Sequence, residues 1–154
     1  MQLNTMRFSR RQALAAGAIG LLAAALAPRL AIADEAAVAA ELKKLFADKP
    51  LAEGRVKIDI PQIAENGLVV PLNIDVESPM TDADHVRALH VFAAGNPQPQ
   101  VLSYQFTPAS GKASASTRIR LAQTQNVIAV AEMSNGQVYT AKAQVKVTVG
   151  GCGG

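Results

Sequence analysis

The sequence contains no tryptophan, one cysteine and two histidines, and aromatic residues make up 4% of it. A single thiol cannot close an intramolecular disulfide or supply an all-cysteine metal site. His85 and His90 alone cannot complete a zinc ligand set. Disulfide scaffolds and zinc fingers are therefore excluded. Charged residues are also sparse, at 18% against 49% hydrophobic. That balance excludes a disordered chain and leaves enough apolar surface for one core in 154 residues. No internal repeat of roughly 20 to 50 residues is visible, so solenoids and propellers have no support.

The first charges met are basic. Phe8-Ser9-Arg10-Arg11-Gln12 precedes an uncharged run of Ala, Leu, Gly and Ile from Ala13 to Ala27, then Pro28 and Ala31-Ile32-Ala33. The run is shorter than the ~20 residues of a membrane-spanning helix, and Ala-x-Ala is a cleavage pattern. Residues 1–33 are expected to be a twin-arginine signal peptide, cleaved after about Ala33, that exports a folded protein to the periplasm. Arg7, Arg10, Arg11 and Arg29 lie in this segment with no acidic residue. They leave eleven basic against twelve acidic residues, net −1, in place of +3 for the whole chain. The mature form then has no basic footprint for nucleic acid and no membrane segment.

From Asp34 to Lys49, Val38, Leu42, Leu45 and Phe46 recur on one face of a helix. Asp34 and Glu35 at its start, Lys43, Lys44 and Lys49 toward its end, and Pro50 beyond suit the helix dipole. Its apolar face either caps the domain's own core or docks on a partner chain; the sequence favours neither. After Pro50 the apolar period changes to two. Strands are expected at 56–60, 70–76, 86–93, 101–106, 115–122, 126–133 and 137–149. Asn66-Gly67, Gly95-Asn96-Pro97, Pro108 to Gly111 and the hairpin signal Ser134-Asn135-Gly136 serve as turns. About seven short strands over some 100 residues fit an all-β fold, an immunoglobulin-like antiparallel β-sandwich with an N-terminal helix over 34–149.

Candidate chemistry is sparse until the last residues. His85 and His90 are five apart, which sends them to opposite faces of a strand, and both read as ordinary strand or loop histidines. No Gly-x-Ser-x-Gly turn supports a serine hydrolase. Glu77, Asp82 and Asp84 lack calcium-loop spacing and read as a solvated loop. No cofactor or metal site is expected.

The strand at 145–149 then runs into Gly150-Gly151-Cys152-Gly153-Gly154. Four glycines around one cysteine contribute no packing and cost ordering entropy, so this segment reads as a flexible arm that adds nothing to stability. Three extended steps from Val149 carry the thiol of Cys152 about 10 Å outward, enough to enter a narrow cleft. A thiol suits reversible sulfur carriage because S–S bonds form and break by thiolate exchange. With no Lys or Arg inside the arm, Cys152 is expected to become a strong nucleophile only within a partner's cleft. Two other readings stay open: a β-sandwich interaction module dimerising through a Cys152 disulfide, and a ubiquitin-like carrier using a Gly154 thiocarboxylate. The second needs ATP and a β-grasp helix that the pattern lacks.

The arm, the signal and the sandwich together resemble the SoxY family, the sulfur carrier subunits of the bacterial thiosulfate-oxidising Sox system. The resemblance extends to Ile63-Ala64-Glu65-Asn66-Gly67 with Val70-Pro71, to Ala94-Gly95-Asn96-Pro97-Gln98-Pro99, and to Ser116-Thr117-Arg118-Ile119-Arg120-Leu121-Ala122. It covers essentially all of 34–154. It implies a carrier that is not itself an enzyme, with sulfur attached to Cys152 on the arm of Gly150, Gly151, Gly153 and Gly154. It also implies a heterodimer with SoxZ. Transient docking would follow to a c-type haem sulfur-transferase, a dimanganese thiosulfohydrolase and a sulfane dehydrogenase. Thiosulfonate and persulfide are the implied intermediates.

Overall fold

The computed structural model describes residues 35–47 and 49–150. The expected signal segment and the arm residues Gly151, Cys152, Gly153 and Gly154 lie outside the described residues. Helix α1 (Glu35–Phe46) is followed by β1 (Leu51–Glu53), β2 (Val56–Asp59), β3 (Ile63–Ala64), β4 (Val70–Val76), β5 (Val86–Ala93), β6 (Gln100–Gln105), β7 (Ala113–Ile119), β8 (Gln125–Met133) and β9 (Val138–Val147). One sheet has the order β1-β9-β8-β5-β6, with β3 also paired to β9, and the second has the order β2-β4-β7. The seven strands expected from periodicity are present. The additional β1 and β3 are short and run parallel to β9, at Leu51↔Val138 and Ile63↔Lys146.

Why the sheets face each other follows from their side chains. In β4, Val70, Leu72, Ile74 and Val76 are buried while Pro71 and Asn73 are exposed. This is the alternation of a sheet wetted on one side. Asn73 on the wet side accepts from Ser116 Oγ (2.7 Å) and donates to Asp59 (3.1 Å). β5 and β8 are different, because both their faces are covered. Leu89, Val91 and Ala93 of β5 and Val127, Ala129, Ala131 and Met133 of β8 face the second sheet's apolar side. Phe92, Val130 and Val138 lie on the reverse face, under Val38 and Phe46 of α1. The molecule therefore has three layers, helix on sheet on sheet.

This layering decides between the two readings of α1: its apolar face caps the domain's own sheet. Glu35 pairs with Lys142 of β9 and accepts from Asn126 of β8 (2.9 Å). The exposed carboxyl of Glu35 is held below its usual range chiefly by the Lys142 hydrogen bond and charge. The helix stops at Phe46, three residues before the expected end. Ala47 turns to φ 52°, and Pro50 disfavours helical geometry at the residue before it. The hairpin between β8 and β9 forms at Ser134-Asn135-Gly136, where Asn135 Oδ1 accepts from the Gln137 amide (2.9 Å). Among the described residues no helix is long and apolar enough to cross a membrane.

Candidate functional site: the root of the arm

β9 delivers the chain to Gly150, and its last residues are held on both sides. On one side Lys146 N donates to Gln62 O (2.8 Å), Thr148 N to Ala64 O (3.0 Å), and Gly67 N to Val149 O (2.8 Å). Thr148 Oγ1 donates to Glu65 O (2.8 Å). On the other side Thr124 Oγ1 accepts from Val147 N (2.9 Å). The strand end is thus gripped between the 62–67 segment and the 121–125 segment.

A buried amide pair organises the second jaw. Asn96 and Gln125 are the buried polar residues among those described, at 8% and 7% exposure. Asn96 Nδ2 donates to Arg120 O (2.8 Å), while its Oδ1 accepts from Ala122 N (2.9 Å) and Gln125 Nε2 (3.0 Å). Gln125 Oε1 in turn accepts from Gly95 N (2.6 Å). A Cβ on Gly95 would press on Gln123 and Gln125 at 3.0 to 3.1 Å. Leu121 N donates to Gly67 O (2.8 Å), which ties the two jaws together. Strand β7 was expected to run to Ala122 but ends at Ile119. The physical reason is this grip: the amides of Leu121 and Ala122 leave the ladder to bond Gly67 and Asn96.

The three sequence stretches around Asn66-Gly67, Asn96-Pro97 and Arg118 to Ala122 thus meet at one end of the sandwich, where the arm departs. Asn96 and Gln125 have no sequence signature beyond a Gly-Asn-Pro turn and a polar strand start, and composition assigns them no role. The rim carries exposed apolar side chains: Ile63, Leu68, Val69 and Val149. Of the arm residues singled out by sequence, Gly150 sits against the carbonyl of Ala122; Gly151, Cys152, Gly153 and Gly154 lie outside the described residues.

Other candidate groups are kept apart. His85 Nδ1 bonds Thr81 O (2.9 Å) in the loop before β5. His90 lies beneath α1, edge-on to Phe46 with ring centroids 5.7 Å apart, and bonds Ser103 Oγ (3.1 Å). Burial lowers the His90 pKa, opposed by the charge of Glu132. Asp84 pairs with Arg55 (3.2 Å) and Glu77 with Lys57 (2.6 Å). The sequence reading as a solvated loop holds for the exposed Glu77 and Asp82, whereas Asp84 is partly buried. Among the described residues no three His, Cys, Asp or Glu side chains cluster to hold a metal.

The family model of "sulfur oxidation protein SoxY" matches residues 42–152. The solved structure of the sulfur carrier protein SoxY from Chlorobium limicola f thiosulfatophilum is similar with a TM-score of 0.62 and 30% identity, over 73% of this chain and 96% of that one. A superoxide reductase (neelaredoxin) from Ignicoccus hospitalis has a TM-score of 0.54 at 16% identity, over 60% and 78%. One from Nanoarchaeum equitans has 0.53 at 12%, over 62% and 100%. These last two share the fold alone. No curated protein sequence matches the chain.

Proposed function

The chain belongs to the SoxY family of sulfur oxidation proteins, and from that premise we propose that it is a periplasmic carrier holding sulfur intermediates covalently on Cys152. The observation that supports this reading is the extent of the family match, which runs to residue 152, behind a strand end clamped on both sides. A rigid root with a glycine arm beyond it presents one thiol to several clefts without rearranging the domain.

Thiosulfate joins the Cys152 thiol as an S–S bond, releasing one proton and two electrons to a c-type haem protein, and leaves Cys–S–S–SO3−. Water then attacks the terminal sulfur in the cleft of a dimanganese hydrolase. The bond to SO3 breaks, sulfate and two protons leave, and the persulfide Cys–S–S− remains for a sulfane dehydrogenase. The chain itself contributes the attacking thiolate and the leaving persulfide, and needs no cofactor of its own. SoxZ is the proposed stable partner, and co-export with it accounts for a folded-export signal on a domain without a cofactor.

Intact mass of the mature protein from its own periplasm, with and without reductant, tests this. Reductant-labile additions of sulfur or thiosulfate on Cys152, absent from Cys152→Ser, are expected. A bare thiol or a disulfide homodimer under thiosulfate-fed growth would transfer the weight to the interaction-module reading.

A further inference from the structure

The two sheets leave one side of the sandwich open. β6 is an edge strand of the first sheet and β7 of the second. Between them runs a groove of about 500 Å3, lined among others by Gln98, Gln100, Tyr104, Thr117, Arg118 and Arg120. Both arginines are exposed. Among the described residues neither forms an ion pair, whereas Arg55 and Arg87 each pair with a carboxylate. Arg118 and Arg120 thus lie along the β7 edge of the groove, without an ion pair among the described residues, near the side-chain amides of Gln98 and Gln100 and the phenol of Tyr104.

Its position relates it to the arm. The Arg120 carbonyl is held by the same Asn96 side chain that holds the Ala122 amide, and the Ala122 carbonyl touches Gly150. The mouth of the groove thus adjoins the residue from which the arm departs. Two extended steps from Gly150 carry Cys152 about 7 Å. A thiosulfonate on that cysteine adds further reach and ends in three charged oxygens.

We propose that the groove between β6 and β7 is a docking site for the arm's own loaded end, with Arg118 and Arg120 receiving the sulfonate of a Cys152 thiosulfonate. This rests on the carrier reading above and deepens it. Guanidinium groups match oxyanions through paired parallel hydrogen bonds, which a lone thiolate sulfur cannot accept in the same way. The sulfonate gives the loaded arm a charge-assisted contact that the unloaded arm does not have. Glu65, exposed on the opposite jaw, disfavours the anion on that side and biases it toward the groove. Docking shields the labile S–S bond between enzymes and makes the two states of the carrier present different surfaces.

The test uses the mature carrier with any bound subunit retained. Tetrathionate loads Cys152 whatever the native cycle is. The thiolate attacks a central sulfur, a Cys–S–S bond forms, and thiosulfate leaves with the electron pair. Iodoacetamide gives a neutral cap as control, and intact mass verifies both. In 15N-resolved NMR, thiosulfonate loading is expected to shift the Arg118 and Arg120 Nε–H signals and the amide of Thr117, while the neutral cap leaves them in place. Arg118→Gln with Arg120→Gln, at unchanged Tm, should abolish the loading-dependent shift of the Thr117 amide. The same pair should raise the rate at which a neutral reductant strips the adduct by roughly threefold or more, the scale of exposed ion pairs. Verified loading with silent groove signals overturns the proposal. So do saturable shifts of the same signals when free thiosulfate is added to the capped carrier, because the occupant is then a diffusing anion. Neither result touches the carrier reading, which fails only if the native protein never carries sulfur on Cys152.

Discussion

The carbonyl oxygen of Ala122 occupies the space into which the Cβ of any residue replacing Gly150 would have to project. Glycine at this position is thus a steric requirement of the strand end. Gly150→Ala is expected to swing the chain away from Ala122, because pushing Ala122 off the Asn96 amide clamp would orphan buried groups. The apolar core lies elsewhere, so Tm is expected to stay within about 4 °C of the parent, equivalent to under ~1 kcal/mol. Misaiming the arm should lower thiosulfate-dependent turnover about 10- to 100-fold, the range for misplacements near 1 Å. Alkylation of Cys152 in the free protein should remain unchanged. Turnover equal to the parent would remove the steric argument.

Asn96 supports the same root from inside. Asn96→Ala strips a partner from Ala122 N, Gln125 Nε2 and Arg120 O at a site only 8% exposed. Each orphaned buried group costs ~1–3 kcal/mol, partly relieved if water enters the space. Urea unfolding should register a loss of about 2 kcal/mol or more at unchanged m-value. A loss below about 0.5 kcal/mol would mean that the cluster is solvated and does not organise the strand end.

These two residues mark the limit of what could be read from the sequence. The alternation of Val70, Leu72, Ile74 and Val76 gave β4 at the observed bounds, because one wet face imposes a period of two. The pieces that position the arm carry no such period. β3 has two residues and gains its hydrogen bonds by pairing parallel to β9, a long-range event invisible to a local pattern. The Asn96–Gln125 contact spans 29 positions, and each residue alone looks like part of a turn or a strand end. The three stretches that resembled SoxY were legible as text, but their meeting around Gly150 is a property of the fold.

His90 gives a pH dependence of defined sign. Burial lowers its pKa in the folded chain, while the unfolded chain has the ordinary value of about 6.5. The unfolded state therefore binds more protons as pH falls through that region, and folding stability declines. The contribution is fully present above about pH 6.5 and is lost as pH falls through the lowered folded-state value, as the imidazole is forced to charge beneath α1. Glu35, whose pKa is lowered by its Lys142 hydrogen bond, loses its contribution only below the ordinary carboxylate value of about 4.3. The two windows are separate. Tm measured from pH 7.5 to 5 should fall more steeply for the parent than for His90→Gln. Parallel profiles would show that His90 does not titrate across folding.

Helix α1 presents neighbouring apolar residues with opposite fates. Phe46 is 3% exposed against Phe92, Val130 and Val138, and Leu45 is 43% exposed. If the helix is part of this domain's own core, Phe46→Ala should cost about 3–5 kcal/mol in the isolated chain, the range for a buried ring replaced by a cavity. Leu45→Ala removes little buried area and should change stability by less than about 0.5 kcal/mol. Urea titrations of the two variants, at concentrations where no partner is bound, make the comparison direct. A helix held in place only by a partner would give small effects at both positions in the free chain. It would give a large effect at Phe46 once the partner is added, so repeating the titration in complex separates the two arrangements. Equal, small losses in the free chain would reverse the assignment of α1 to the intramolecular core.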